Sequence, residues 1–582
     1  MTTLVSFFST FQNASSHNIH STRSPYPTIT AAKSLQIPKN TLNQQTFDEN
    51  INNPLPFKKP PLLATIFNTL DDFICDFIDL PLAPFLDPKQ VLSGNFAPVE
   101  ELPPTACDAV EGSLPSCLDG GAYIRNGPNP NFFPKGPYHF FEGDGMLHMI
   151  KFSHGKATFC CRYVNTYKHA VESEFGYPFV PSIFSSFSGG LLSSISRFLL
   201  TAARVSAGQF DPIKHGFGTA NTSLALISGR LFALCESDLP YAVKLTPEGD
   251  IITLGRHDFG SAEPFYRMTA HPKVDGVTGE AFAYEYGSGA RPFLTYFRID
   301  SHGKKHRSVA INSIERPISI HDFAVTEKYA VIPDMQIVVD PWLILRGRSP
   351  VGVDREKVAR LGVIPKYAED EAESVWIEAA GFNPLHCVNA WDEDGGDTVC
   401  VVATNAAAVD RLMENIDCAD MTMEMVVVDV KGKKMERYRL CDEFLEFGVI
   451  NPAYAAKKNR YIYAVILGEK RSVGVVKLDL TLLNKEVGGD CTVAGRRFEP
   501  GCHGGEPFFV AREPNNPAAE EDDGYLVAYF HYGRTQESKF VVMDAKSPTL
   551  EIIATVKLPQ RMPMGFHGLF MSETDLQTNY IK

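Results

Sequence analysis

The chain contains 582 residues with a formal net charge of −14, and 44% of its residues are apolar and 21% charged. These values are typical of a large soluble protein with ample material for a core. The negative charge and the lack of a basic stripe exclude nucleic acid as a partner, because phosphates would remain unneutralised. Twelve cysteines without a C-x-x-C pair indicate free thiols in a reducing compartment rather than a disulfide framework.

The first 47 residues differ in composition from the rest of the chain. They contain no Asp or Glu, 15 Ser or Thr, and only three basic residues, Arg23, Lys33 and Lys39. An acid-free leader rich in Ser and Thr predicts a plastid transit peptide, with plain disorder as the alternative. A secretory signal is disfavoured, because no continuous apolar stretch with a small-residue cleavage site follows a basic start.

Residues 48–94 are predicted to be a linker that carries one amphipathic helix. Prolines flank the stretch LLATIFNTLDDFICDFIDL on both sides, and its apolar residues recur at helical spacing. The apolar stripe comprises Leu62, Leu63, Ile66, Phe67, Leu70, Phe73, Ile74, Phe77 and Ile78. Two interpretations remain open. The stripe either packs on a core or lies in a membrane surface, where the acidic polar face favours weakly charged lipid.

A second apolar stretch runs from Phe175 to Ser196 without a charged residue. Its prolines, paired glycines and many serines argue against a membrane-spanning helix. The stretch and the residues after it are predicted to expose an apolar patch, which a soluble monomer rarely shows without purpose. The patch residues are Ile183, Phe184, Phe187, Leu191, Leu192, Ile195, Phe198 and Leu199. The chain is therefore predicted to be a peripheral rather than a transmembrane protein.

The remainder of the chain reads as strands joined by tight turns. Runs of alternating or β-branched residues meet at glycine turns in YAVKLTPEGDIITLGRHDF, FLTYFRIDSHGKKHRSVAI, CVNAWDEDGGDTVCVVAT and MEMVVVDVKGKKMERYRL. Repeated antiparallel units without βαβ alternation predict an all-β fold, which is a sandwich, a barrel or a propeller.

Four of the sixteen histidines stand out by their neighbours, and each of them follows an apolar residue: His271, His321, His386 and His567. Neutral imidazole is a common ligand of Zn, Cu and Fe, and a set of four without a thiolate suggests a redox-capable metal rather than structural zinc. Sequence separations of 50, 65 and 181 residues require the fold to bring them together. Spacing alone does not select this quartet, since a histidine beside apolar residues is equally a core or turn residue.

Other catalytic motifs fall short. The glycine-containing stretches GFGTAN and GDGMLH lack the third glycine of a dinucleotide loop. The chain contains no G-x-S-x-G, Walker loop or H-E-x-x-H motif. The dispersed histidines are therefore the best candidate for a chemical centre.

Ordered motifs from about Asn95 to the C-terminus resemble those of plant carotenoid cleavage dioxygenases. They are YIRNGPNPNFF, HFFEGDGMLH, TAHPKVD, HDFAVTEKYAV, RLGVIPKYA, HCVNAWDE, EFGVINPAY, GGEPFFV and GFHGLF. The resemblance implies that residues 95–582 form a seven-bladed β-propeller with helices capping one face. It also selects His271, His321, His386 and His567 as the catalytic ligands of one Fe(II) per subunit, with O2 as co-substrate.

Three glutamates are implied to hold the imidazoles by hydrogen bonds, as carboxylates commonly do for metal-bound histidines. By motif they are Glu236, Glu446 and Glu506. The fourth histidine, His271, is then expected to face solvent or another acceptor. His139, Asp144 and His148 in HFFEGDGMLH look like a further metal cluster, but the resemblance implies a structural role, and no ligand is assigned there.

The implied activity is oxidative cleavage of one conjugated double bond of a carotenoid. The sequence most resembles the fourth plant subfamily, which implies scission at 9,10 and/or 9′,10′ and C13 ketones such as β-ionone. Three alternatives stay open: cleavage at 7,8 or 7′,8′, a 9-cis-epoxycarotenoid dioxygenase of abscisic acid synthesis, and a non-catalytic apocarotenoid-binding propeller. The presence of all four histidines and all three glutamates argues against the last.

The partners and location follow from the same resemblance. The substrate is a carotenoid, and the protein is expected to be a monomer in a chloroplast or chromoplast, in the stroma or on a plastoglobule. There it would contact a plastid membrane or plastoglobule surface to draw a water-insoluble substrate from lipid. The sequence does not specify the bond cut, the symmetry of cleavage, the tunnel residues or the transit-peptide cleavage site.

Overall fold

A computed structural model describes residues 62–287, 289–412, 420–468, 471–484, 486, 488–514 and 516–581. The predicted transit peptide and the first part of the predicted linker lie outside these residues. The described strands form seven antiparallel sheets arranged as the blades of a propeller, together with one separate two-stranded ribbon. The prediction of an all-β, seven-bladed propeller is confirmed.

Blades I to V are each built from four strands that follow one another in the chain. Blade I contains Ser223–Ile227, Arg230–Leu234, Tyr241–Leu245 and Ile251–Arg256, and blade II contains Lys273–Val274, Ala281–Tyr286, Leu294–Ile299 and Val309–Ala310. Blade III contains Ala324–Val325, Tyr329–Asp334, Arg360–Pro365 and Val375–Glu378, and blade IV contains Pro384–Glu393, Thr398–Ala406, Met421–Asp429 and Lys434–Arg439. Blade V contains Leu445–Val449, Tyr461–Gly468, Arg471–Asp479 and Thr492–Arg497. The four strand–turn–strand units read from the sequence coincide with hairpins of blades I, II and IV.

Blades VI and VII combine strands from the two ends of the described chain. Blade VI pairs Val110–Gly112 with the later strands Ile552–Lys557, Glu537–Asp544, Gly524–Tyr532, Cys502–Gly504 and Phe508–Ala511. Blade VII pairs the early strands Leu102–Ala106, Lys156–Tyr163, Gly145–Ser153 and Ala122–Pro128 with the last strand, Gly568–Met571. The ribbon outside the blades consists of Ile337–Val339 and Val351–Val353. The ring of blades is thus closed by backbone hydrogen bonds between distant parts of the sequence.

The core is divided into buried apolar clusters that lie between neighbouring blades. Ile124 of blade VII packs with Leu231 of blade I, and Val331 of blade III packs with Val401 of blade IV. Similar clusters join the other neighbouring pairs. Each fully buried aliphatic side chain contributes roughly 1.5–3 kcal/mol, so these clusters hold the blades at fixed angles around a central axis.

The described chain also contains helices and short helical turns. The N-terminal helix spans Leu62–Phe73 and continues as a π-helical turn, Ile74–Ile78, and the patch helix spans Leu191–Ser206. The patch helix contacts the N-terminal helix and the 3-10 turn Pro341–Arg346, and these form the cap. Shorter helices are Pro88–Val91, Tyr167–Phe175, Pro212–His215, Val409–Leu412 and Glu573–Ile581. The 3-10 turns are Gly94–Phe96, Ser116–Leu118, Pro341–Arg346, Asp394–Gly396, Pro452–Tyr454 and Leu480–Leu482. In the described part of the chain, no helix is both long and apolar enough to cross a bilayer.

The N-terminal helix turns its acidic face toward the protein. Arg197 of the patch helix lies 2.6 Å from a carboxylate oxygen of Asp79 and 3.2 Å from one of Asp71. Burial raises the pKa of Asp71, and the neighbouring arginines partly offset this. Leu62 and Phe77 are 79% and 74% exposed. Most of the apolar stripe therefore faces outward instead of packing on the core, because the ion pairs occupy the opposite face.

The uncharged stretch differs in part from its prediction. Ile183, Leu191, Leu192, Ile195 and Leu199 are exposed, as expected. Phe187 is buried, and Phe184, Phe187 and Phe198 line an internal cavity instead. Within the predicted patch, the three phenylalanines therefore line the cavity and the leucines and isoleucine of the patch helix are exposed, while Ile183 is exposed and also lines the cavity.

Candidate metal centre on the propeller axis

The seven residues predicted for the site come from seven different blades. Moving from blade I to blade VII, they are Glu236, His271, His321, His386, Glu446, Glu506 and His567. Six of them lie in, or within a few residues of, a strand at one edge of their own sheet. Glu236 follows the second strand of blade I. These edge strands contact one another, as in blades III and IV and in blades VII and I. The propeller thereby converges residues that are far apart in sequence.

The four histidines form one compact group. Nε2 of His321 lies 3.0 Å from Nε2 of His271 and 3.2 Å from Nε2 of His386. The ring centroid of His567 is 4.7 Å from that of His271 and 4.8 Å from that of His386. One ring nitrogen from each histidine lies within 4.8 Å of those of the other three. The structure therefore brings together all four histidines that the sequence singled out.

Each predicted glutamate contacts a different one of these histidines through the Nδ1 atom. Glu236 lies 2.6 Å from Nδ1 of His321, Glu446 lies 2.7 Å from Nδ1 of His386, and Glu506 lies 2.9 Å from Nδ1 of His567. His271 is the histidine that none of the three contacts. The structure thus places the three glutamates beside three of the four histidines and leaves His271 as the fourth.

The charge state of the imidazoles follows from burial and from these carboxylates. Burial lowers the pKa of His271 well below its ordinary value, and the neighbouring rings lower it further, so this ring is neutral. Burial also lowers the pKa of His321, but the adjacent Glu236 outweighs that effect and the pKa is raised. Glu236 lies on the Nδ1 side of this ring, 2.6 Å from that nitrogen.

This donor set fits a metal ion. A histidine that donates Nδ1–H to a carboxylate presents a lone pair at Nε2, and the carboxylate fixes that tautomer. Here the Nε2 atoms face one another at 3.0 and 3.2 Å, so that lone pairs would repel without a cation between them. Four nitrogen donors without a thiolate suit Fe, Cu or Zn.

Glu446 is the most thoroughly held of the three carboxylates. Besides His386, it accepts hydrogen bonds from the Thr404 hydroxyl and from the backbone N–H of Phe447. Burial raises the pKa of Glu446, but His386 and these hydrogen bonds outweigh it and lower the pKa below its ordinary value. Glu446 is therefore ionised and fixed in position behind His386.

A cavity of about 1260 Å³ opens onto the histidines. His321, His386 and His567 line it, together with many apolar and aromatic side chains. The aromatic part of the lining includes Phe140, Phe141, Phe184, Phe447 and Phe566. An elongated apolar molecule can therefore lie against the aromatic part of the wall beside the histidines, while polar side chains such as Lys168, Arg256 and Arg267 line other parts of the cavity.

Two residues of the site were missed at the sequence level. Phe447 has a left-handed backbone with φ of 52°, and its ring centroid is 5.6 Å from that of His567. The fully buried Arg125 donates a hydrogen bond to the Pro563 carbonyl and lies against Gly565, two residues before His567. Phe447 lies in EFGVINPAY, directly after Glu446, and Arg125 lies in YIRNGPNPNFF. Their membership of these motifs was the sequence feature that could have identified them.

The second histidine-containing segment does not form a metal site in the structure. Asp144 is ion-paired with Lys168 at 2.9 Å, and both ring nitrogens of the buried His148 lack a hydrogen-bond partner. Over the described ranges, one group of three or more potential ligands lies close enough together to hold a metal ion, and it consists of the four histidines near the propeller axis.

Comparison with known proteins places the chain in a family. Residues 96–572 match the model described as retinal pigment epithelial membrane protein. The chain is 52% identical to the probable carotenoid cleavage dioxygenase 4, chloroplastic, of Arabidopsis thaliana, over 92% of the chain and 90% of that protein. It is 49% identical to the 9-cis-epoxycarotenoid dioxygenase NCED1, chloroplastic, of Oryza sativa subsp. japonica, over 89% of the chain and 81% of that protein.

A solved structure supports the fold. A variant of the Synechocystis apocarotenoid oxygenase superposes with a TM-score of 0.67 at 25% identity, covering 84% of this chain and 99% of that one. A seven-bladed propeller with a histidine centre facing an apolar cavity thus defines a class of dioxygenases. The chain belongs to the carotenoid cleavage dioxygenase family of enzymes.

Proposed function

We propose that the chain holds one Fe(II) at His271, His321, His386 and His567 and cleaves a carotenoid double bond with O2. The observation that carries this proposal is the convergence of four imidazoles, three backed by carboxylates, at the wall of a large apolar cavity. When bound, the iron supplies activation of O2. Neutral imidazoles leave the ion its full charge and add no competing negative ligand.

The protein's own residues prepare this chemistry. Glu446 and Glu506 accept hydrogen bonds from Nδ1 of His386 and His567, and Glu236 lies 2.6 Å from Nδ1 of His321. These carboxylates keep each Nε2 directed at the ion. The aromatic part of the lining offers the polyene an apolar surface beside the histidines. Placement of one double bond beside the centre is the main catalytic contribution of such a site.

The bond that we propose is 9,10 and/or 9′,10′ of a C40 carotenoid, giving a C13 ketone and a longer aldehyde. The likeness to the fourth plant subfamily and the 52% identity to carotenoid cleavage dioxygenase 4 support this choice. The 49% identity to an epoxycarotenoid dioxygenase supports cleavage of a 9-cis epoxide as the second candidate.

Mass spectrometry of products tests the proposal. Protein lacking residues 1–47 is purified anaerobically, loaded with Fe(II) and given β-carotene, zeaxanthin or 9-cis-violaxanthin in detergent with O2. We expect C13 ketones with C27 or C14 partners. C10 aldehydes would move the cut to 7,8, and a C25 epoxy-aldehyde from the 9-cis epoxide alone would favour the second candidate. No product in spite of one bound iron would refute the carotenoid-cleaving role and leave apocarotenoid binding.

We further propose that the protein contacts lipid through an apolar surface beside the cavity. This apolar surface consists of the exposed residues Leu62, Leu63, Ile66, Leu70, Phe73, Phe77, Leu80, Leu191, Leu192, Ile195 and Leu199. Phe85, Phe96, Ile183 and Phe198 line the cavity from the same helical cap. A water-insoluble polyene can then pass from lipid into the cavity without crossing water.

A plastid location completes the proposal. The composition of residues 1–47 supports a transit peptide, followed by a linker (48–94) and the propeller domain (95–582). The two relatives named above are both described as chloroplastic. Import of a fluorescent protein fused to residues 1–47 into isolated chloroplasts tests this, and a fusion that stays outside the chloroplasts and is digested by added protease would refute it. We propose that the enzyme acts in the stroma or on a plastoglobule. We also propose that it is a monomer, which light scattering of the purified protein tests.

A further inference from the structure

The uncharged segment Phe175–Ser196 has no helix or strand between Phe175 and the start of the patch helix at Leu191. Four backbone amides in this part donate hydrogen bonds to buried carboxylates. Oε1 of Glu142 accepts hydrogen bonds from the N–H groups of Phe184 and Ser185 at 2.9 and 3.0 Å. Oε1 of Glu172 accepts from those of Phe179 and Val180, both at 2.8 Å. Each glutamate therefore binds two consecutive amides of the same segment.

The two carboxylates differ in their other contacts. Glu172 forms an ion pair with Lys168 at 2.6 Å. Glu142 is 6% exposed and has no ion pair with any residue in the described part of the chain. Its second oxygen accepts from the His139 N–H at 3.0 Å and from the Ser185 hydroxyl. Burial raises the pKa of Glu142, and these hydrogen bonds oppose that rise.

Glu142 thereby joins two parts of the aromatic cavity wall. The first part consists of Phe140 and Phe141, which lie between His139 and Glu142 in the sequence. The second part is Phe184 in the uncharged segment. The ring centroids of Phe141 and Phe184 are 5.8 Å apart. Phe141 also lies 5.8 Å from Phe566, the residue before His567. A continuous row of rings thus extends from the histidine centre to the uncharged segment.

We infer that Glu142 is a positioning residue that fixes this aromatic row and thereby determines which double bond of the substrate lies beside the histidines. The inference rests on the proposed cleavage of carotenoids. The double bonds of a polyene repeat along its length and are chemically similar, so selection among them depends on where the walls stop the molecule from sliding. A hydrogen-bonded anchor between two wall segments supplies that constraint.

The test compares E142Q with E172Q in detergent, using Fe(II)-loaded protein with measured iron content. In E142Q the amide group opposes the His139 N–H, so that one side of the anchor is lost while the side-chain volume is kept. We expect KM for the carotenoid to rise about fivefold with kcat within about twofold, and products from a neighbouring double bond to appear. E172Q is the matched control, since it replaces the oxygen paired with Lys168 in an equally buried carboxylate, while the remaining oxygen still accepts from the Phe179 and Val180 amides of the same segment.

We expect E172Q to lower the thermal unfolding midpoint without altering the product ratio. If E142Q loses stability as E172Q does but keeps the wild-type KM and product ratio, the inference is wrong. Should E142Q fail to fold, S185A decides the question, because it removes only the hydroxyl donor and is expected to shift the product ratio in the same direction. A wild-type protein that cleaves no carotenoid would instead refute the proposed function.

Discussion

The histidine centre and the apolar surface both rest on carboxylates that hold basic side chains, but they point in opposite directions. On the axis, Glu446 and Glu506 lie behind His386 and His567 and turn their Nε2 atoms inward. In the cap, Asp79 binds Arg197 beneath the N-terminal helix and leaves the apolar stripe outside. The comparison shows that the position of the charged partner decides which face of an element is turned inward and which is left outside.

The largest effect is expected from removing a histidine of the centre. His386→Ala should abolish iron retention and lower cleavage by about three orders of magnitude or more, because one of four donors and the partner of Glu446 are lost. Metal analysis and product formation check this together. His302→Ala, in a hairpin turn of blade II, is the control and should match the wild type. Unchanged iron and full activity in His386→Ala would refute the ligand assignment.

A smaller effect is expected from weakening a carboxylate while leaving all four histidines. Glu446→Gln should reduce metal affinity about 10- to 100-fold, because the amide no longer holds the Nδ1 proton of His386. Titration of the apoprotein with Co(II) measures the dissociation constant. Glu424→Gln, a buried carboxylate of blade IV that binds Arg437, is the matched control. Equal affinities for the two variants would show that Glu446 only packs.

In the cap, charges placed on the apolar surface should break lipid contact while sparing the centre. Leu192 and Leu199 are 64% and 61% exposed. Changing both to Asp should lower binding to uncharged-lipid vesicles at least about tenfold. The reason is that two leucine side chains would no longer gain free energy by moving from water into lipid. Vesicle flotation measures binding, and iron content should stay at the wild-type value. Val277→Asp, at another exposed apolar position, is the control, and an equal loss there would contradict a defined surface.

The smallest effect concerns Glu285, a carboxylate near Arg267 that forms no ion pair in the described part of the chain. Burial raises the pKa of Glu285 to about 7, and Arg267 only partly opposes this. A raised carboxyl pKa means that the unfolded chain releases its proton first, so stability falls as pH rises from about 4.5 to 7. Glu285→Gln should remove this slope and gain about 2–3 kcal/mol above pH 7. Thermal unfolding from pH 4.5 to 8 measures it, and parallel curves for the two proteins would contradict the raised pKa.

Much of the fold was readable from the sequence, because hairpins leave a local signal. Alternating residues around Gly249 and Gly303 predicted strands that the structure contains. The number of blades and the choice of four histidines came from resemblance, since contacts between residues 50 to 181 positions apart leave no local pattern. The centre's geometry then agrees with that choice.

The outward direction of the apolar stripe was left open by the sequence for a physical reason. Helical spacing shows that Leu62 and Leu70 share a face, but not what that face contacts. That depends on Arg197, more than a hundred residues away, which binds Asp71 and Asp79. In the same way, Phe187 and Leu192 look alike in sequence, and only packing sends one inward and the other outward.

The closing strand Gly568–Met571 has a consequence for the order in which the enzyme is made. His567 directly precedes this strand, which hydrogen-bonds to Ala122–Pro128 of blade VII. During synthesis, the other three histidines and all three glutamates emerge before the fourth histidine and the strand that completes the ring. The group of four histidines is therefore complete only after the last blade strand has been made, and a product terminated before His567 would lack one member of the proposed metal site.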